Sequence, residues 1–171
     1  MMLAELRSKL IGSGVSDILL PGFIDQDERP ARFRPLPQAV YFDCDSVYIR
    51  METVATTGTM RISIDHRIAL EIHNEEEMMV AVVSLREQCL NDADGKNSLR
   101  ELRFWNLTDD DTGLRCAAAQ LELMNGQQIF VDPTYHFGIR VGGPQQRDIW
   151  RDNWPAAEQA LEHVVSLLDG R

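Results

Sequence analysis

Ala117-Ala-Ala-Gln-Leu-Glu-Leu-Met-Asn-Gly-Gln-Gln-Ile-Phe-Val131 is the stretch on which the fold turns. Ala117, Ala119, Leu121 and Leu123 recur at every second position before Asn125-Gly126, and Ile129, Phe130 and Val131 follow it. A period of two puts alternate side chains on one face of a strand. Asn-Gly tolerates the positive backbone angles of a type I′ turn. The segment is therefore an antiparallel hairpin, and a hairpin needs a sheet to complete it.

Further alternating runs supply that sheet. Val47, Ile49 and Met51 alternate with Tyr48, Arg50 and Glu52; Met60, Ile62 and Ile64 alternate with Arg61, Ser63 and Asp65; Thr57-Gly58 lies between them as a turn. Ile68, Leu70 and Ile72 continue the pattern into His73, Leu99 to Trp105 reads as another strand, and Phe137 to Val141 offers a short last one. A meander and hairpins of about six strands are expected.

Helices are expected at both chain ends. Leu3, Leu6, Leu10 and Ile11 recur at helical spacing until Gly12-Ser13-Gly14 breaks it, and Leu161, Val164, Val165 and Leu168 form a stripe behind a capping Asn153. Residues 75–90 read as a third helix, capped by Asn74 and opened by Glu75, Glu76 and Glu77, which suit the positive end of its dipole. The continuous apolar run from Met78 to Val83 also allows a buried strand. Four prolines between Pro21 and Pro37 deny that segment a regular element, because each removes a backbone donor and restrains its predecessor. The fold class is α+β, in one domain over 1–171.

Composition bounds the function. The 171 residues hold 17 Lys+Arg against 27 Asp+Glu, a net charge of −10, which repels phosphate backbones and anionic lipid and attracts cationic proteins. Nucleic acid and membrane are not expected partners. Glu5, Arg7, Lys9 and Asp17 interrupt what a targeting segment would require, and three cysteines without a Cys-x-x-Cys pair suit a reducing compartment, so a cytoplasmic location is expected.

Motifs for chemistry are weak. Leu90 to Glu101 places Asp92, Asp94, Gly95 and Glu101 at calcium-loop positions, but Leu90 stands where that loop starts with aspartate. His66, His73, His136 and His163 form no ligand pair, and no nucleophile elbow or phosphate-cradling glycine loop is present. Asp43 and Asp45 flank Cys44 and would suppress its thiolate. No catalytic residue, metal or cofactor is assigned. A cation- or ligand-binding loop and an enzyme whose residues converge only in space stay open as alternatives.

The stretch Leu121-Glu-Leu-Met-Asn-Gly-Gln-Gln-Ile-Phe-Val-Asp-Pro-Thr-Tyr-His-Phe-Gly-Ile-Arg-Val-Gly-Gly143 resembles the C-terminal hairpin of small bacterial immunity proteins that serve secreted interbacterial toxins. That resemblance implies an acidic, cytoplasmic, non-enzymatic α+β protein that binds and blocks a cognate toxin domain, often a basic nuclease. Charge and side-chain chemistry nominate Asp43, Asp45, Asp92, Asp94, Asp109, Asp110 and Asp111 for steering and pairing, with Trp105 and Trp150 as anchors. Oligomeric state is left open.

Overall fold

The computed structural model describes residues 2–54, 57–68, 79–154 and 156–168. Along the chain lie α1 (Met2–Leu10), β1 (Asp17–Asp25), β2 (Arg32–Pro35), β3 (Ala39–Cys44), β4 (Val47–Val54), β5 (Thr59–Asp65) and β6 (Met79–Ser84). Then follow α2 (Arg86–Cys89), β7 (Leu99–Trp105), β8 (Thr108–Asp110), β9 (Gly113–Cys116), β10 (Ala118–Leu123), β11 (Gln128–Asp132), β12 (Arg140–Gly142), α3 (Pro144–Asn153) and β13 (Glu162–Ser166). The described residues thus form thirteen strands rather than about six, in two antiparallel sheets with three helices. Sheet 1 runs β2-β1-β3-β4-β5-β9-β8, with β6 on β1; sheet 2 runs β12-β11-β10-β7-β13.

The predicted hairpin is β10–β11, with Leu121 opposite Ile129. Its turn differs from type I′: the Gly126 amide donates to the Leu123 carbonyl, and Gly126 alone takes a positive φ, of 85°. This is a three-residue loop, a type I turn closed by a left-handed glycine. Leu121, Leu123, Ile129 and Val131 from this hairpin pack with Phe42, Ile49, Met51 and Met60 of sheet 1 and with Leu6 and Leu10 of α1 in one core. The strands expected around Val47–Glu52, Met60–Asp65 and Leu99–Trp105 are β4, β5 and β7. The short last strand forms later than expected, as β12. The run from Ile68 to Ile72 lies almost wholly outside the described residues.

One long bent hairpin joins the sheets. β7 pairs with β10 in sheet 2, and the same two chain segments continue as β8 and β9, paired in sheet 1. The bend falls at Asn106, whose φ of 52° is left-handed and whose Oδ1 accepts from the Leu161 amide. Asparagine tolerates this conformation because its short polar side chain bonds to nearby backbone.

Three expectations are corrected. The segment 75–90 is not a helix over its described part: Met79–Ser84 is β6, paired along β1, and only Arg86–Cys89 is helical. Asn74 to Met78 lie outside the described residues. The C-terminal helix is instead the strand β13, paired along β7; Val165 within it and Leu167 just after it are buried while Leu161, just before it, is 79% exposed, so the helical stripe was a coincidence of spacing. The nearest α-helix, α3, ends at Asn153, and a single 3-10 turn, Ala157–Gln159, follows it. The proline-rich segment, finally, carries β1 and β2. Pro21 sits where β1 changes partner from β3 to β2, and its carbonyl accepts from the Leu36 amide at 2.8 Å. A proline is tolerated there because the ladder lacks a regular bond at the changeover.

Candidate functional site

The antiparallel order of sheet 1 decides where the acidic residues go. The start of β1, the end of β3, the start of β4, the end of β5 and the β8–β9 turn all fall at one end of the sheet: Asp17 pairs with Asp43, Tyr48 with Asp65, and Asp110 with Gly113. Asp17, Asp43, Asp45, Asp65, Asp109, Asp110 and Asp111 therefore line a single rim. At the usual strand spacing, the five steps from β1 to β8 span about 24 Å. Helix α1 crosses beneath it. Asp109 accepts from the Met2 and Leu3 amides at the helix start, and just beyond the helix end the Gly14 amide donates to Asp45 Oδ2 at 3.1 Å.

Asp92 and Asp94 join the same end through the α2–β7 connection. Ser98 bridges to Gly14, the Val15 amide donates to the Asn97 carbonyl, and Lys96 Nζ donates to the Gly12 carbonyl. In that connection the Asn97 amide donates to the carbonyls of Asp92 and Gly95, at 2.8 and 3.1 Å. Asp94 points outward toward Arg86, 4.0 Å away. The Asp-rich loop thus closes on its own asparagine.

Several of these carboxylates hold the fold together. Asp109 caps α1, Asp110 accepts from the Thr112 amide and hydroxyl, and Asp45, at a left-handed φ of 60°, holds the Gly14 amide. The Thr112 bonds hold the Asp110 carboxyl below its ordinary range. Asp43 goes the other way: burial pushes it up, a hydrogen bond from Ser16 opposes this, and the charges of Asp17 and Asp45 add to the rise. Like charges are gathered at this point with incomplete local compensation.

Trp105 and Trp150 are not surface anchors. They are 4% and 0% exposed, with ring centroids 5.7 Å apart, and they pack with Phe130 where α3 covers sheet 2. The exposed apolar side chains at the acidic end are Met2 and Met124, at 39% and 58%. Met2 starts α1, and Met124 sits in the β10–β11 loop, its amide donating to the Ser98 carbonyl. Sequence reasoning missed both, and it missed Asp17 and Asp65, which enter the rim only once the strand register is known.

Cys44 and Cys116 are buried thiols and Cys89 is half-buried; all three are free. Among the described residues, no three His, Cys, Asp or Glu side chains are placed to hold a metal ion, and no helix is long and apolar enough to cross a membrane. No protein-family model matches this chain, and neither a curated protein nor a solved structure matches it.

Proposed function

We propose that this chain is a protein-binding module whose partner is basic and docks on the aspartate rim. The observation that carries this reading is the gathering of seven aspartates at one end of sheet 1, with Asp92 and Asp94 beside them. Carboxylates held close together repel one another, and a cationic surface relieves that repulsion while speeding encounter. A span of about 24 Å suits an ordinary interface patch of roughly 800 Å² per partner. Met2 and Met124 offer adaptable apolar contact at the same end. The resemblance of the 121–143 segment to immunity proteins narrows the partner to a toxin domain, which the chain would neutralise by covering it.

Affinity capture with the tagged chain, followed by titration of the captured protein across a salt series, tests the reading. The expected partner is basic, binds in simple stoichiometry, and loses affinity as salt rises. The triple variant Asp43→Asn, Asp94→Asn, Asp111→Asn weakens it by about tenfold or more, as loss of close charge pairs does. A partner indifferent to both salt and this variant overturns the proposal.

A further inference from the structure

Between α2 and the adjoining parts of β11 and β12 lies a groove of about 600 Å³. That volume is in the range that encloses a small molecule or a short peptide. Charged residues make up 26% of the chain, yet none of the eleven residues lining the groove is charged. Its polar side chains include the primary amides of Gln88, Asn91 and Gln128. Each such group both donates and accepts hydrogen bonds, which matches the alternating carbonyls and amides of a peptide main chain. Ile129 and Val141 add apolar wall.

The groove is built from segments tied to one another. Gln127 bridges them: its Nε2 donates to the Cys89 carbonyl at 2.6 Å, and its Oε1 accepts from the Asn91 amide at 2.9 Å. Gly143 keeps one side open. Its backbone, at φ −91° and ψ −158°, is one that any residue adopts, and an added Cβ would meet nothing closer than the Gln128 carbonyl at 3.9 Å. Neither conformation nor packing demands glycine at this position; a side chain there would take up groove space. β12, which lines the same groove, is the end strand of sheet 2 among the described residues, the position at which an extended peptide adds to a sheet.

We propose that this groove binds an uncharged, extended peptide segment, its main chain held by the amides and by the β12 edge. A charged side chain entering it would lose hydration without meeting a counter-charge. No aromatic ring lines the groove for a sugar to stack on. The assignment does not depend on the rim reading.

The test selects peptides from a random phage library on the full chain, with counter-selection on the Gly143→Trp variant. The expected peptides lack Asp, Glu, Lys and Arg, shift the amide resonances of Gly126, Gln128 and Gly142, and bind Gly143→Trp about tenfold more weakly or worse. Matching circular dichroism and melting of the variant exclude misfolding; Gly143→Ser, expected to retain most binding, serves as a second check. Basic peptides that bind both proteins alike and are lost on rim substitution would overturn the groove assignment while supporting the rim. Failure to enrich any Gly143-dependent peptide, or a neutral glycan competing where no peptide binds, would also overturn it.

Discussion

Gln127 Nε2 donates to the carbonyl of Cys89 across 38 positions of sequence, at 2.6 Å. The same side chain accepts from the Asn91 amide, so one glutamine fixes the end of α2 against the β10–β11 loop. Replacing it with alanine removes partners from two backbone groups at once. Because Asn91 is exposed, water restores part of the loss, and Gln127→Ala is expected to cost about 1 to 2 kcal/mol. Urea unfolding should show a lower midpoint with unchanged slope, and hydrogen exchange should quicken at Asn91. An unaltered midpoint would show that the brace carries no stability.

The Trp105–Trp150 pair makes a sharper prediction because its shape and its polarity can be separated. Trp150 is fully buried, and its Nε1 has no hydrogen-bond partner among the described residues. Trp150→Ala opens a large cavity and is expected to cost about 3 to 5 kcal/mol. Trp150→Phe keeps a ring and removes the unpaired donor, so its cost should stay below about 1.5 kcal/mol. Equal losses in the two variants would mean that the indole N–H contributes a bond of its own.

These tryptophans also show where sequence reasoning stops. Trp105 and Trp150 have the chemistry of interface anchors, but whether an aromatic is core or surface depends on which helix covers it, and α3 was not anticipated. The β10–β11 hairpin was legible because Asn125-Gly126 and the alternating residues agree on one local structure. β13 was not, because Leu161, Val164, Val165 and Leu168 satisfy helical spacing while the buried pair is Val165 and Leu167. Only pairing with β7 separates the two readings. The rim was half legible: Asp43, Asp45 and Asp109 to Asp111 could be named from the sequence, but their alignment along one edge follows from strand direction and register. The amide groove left no local signal, since its walls come from residues 88–91, 126–129 and 141–144.

Asp43 predicts how stability responds to pH. Its folded pKa lies above the ordinary carboxylate value, mainly through burial, with Asp17 and Asp45 adding and Ser16 opposing. Between the unfolded and folded values the folded protein holds the proton that the unfolded chain has released. Stability therefore falls as pH rises through that window, and the penalty persists at neutral pH. Asp43→Asn leaves the main-chain carbonyl that accepts from the Ser16 amide and hydroxyl and removes the charge, so it should raise the melting temperature at pH 7. The gain should shrink as pH falls below about 4, where the wild-type carboxyl is protonated. A variant that melts lower than wild type at pH 7 would remove charge crowding as the cause.

Thiol reactivity reports both the core and the groove. Burial pushes the Cys44 thiol far above its ordinary value, and Asp43 and Asp45 push it further; burial also raises Cys116, against a hydrogen bond from the Ala118 amide. Cys89 is raised more mildly, by burial first and then by the charge of Asp17, and it alone is not fully buried. The thiolate is the species that alkylates, so native protein treated with iodoacetamide should gain one adduct, at Cys89, more slowly than a free thiol does. The rate should climb as pH rises through the alkaline range. Asp17→Asn should speed it at fixed pH by removing the nearby negative charge, whereas an effect on burial alone would leave it unchanged. After unfolding in urea all three cysteines should react. Native-state modification of Cys44 or Cys116 would mean that the core formed by β3, β9 and their neighbours opens under conditions in which their strand pairing should keep it closed.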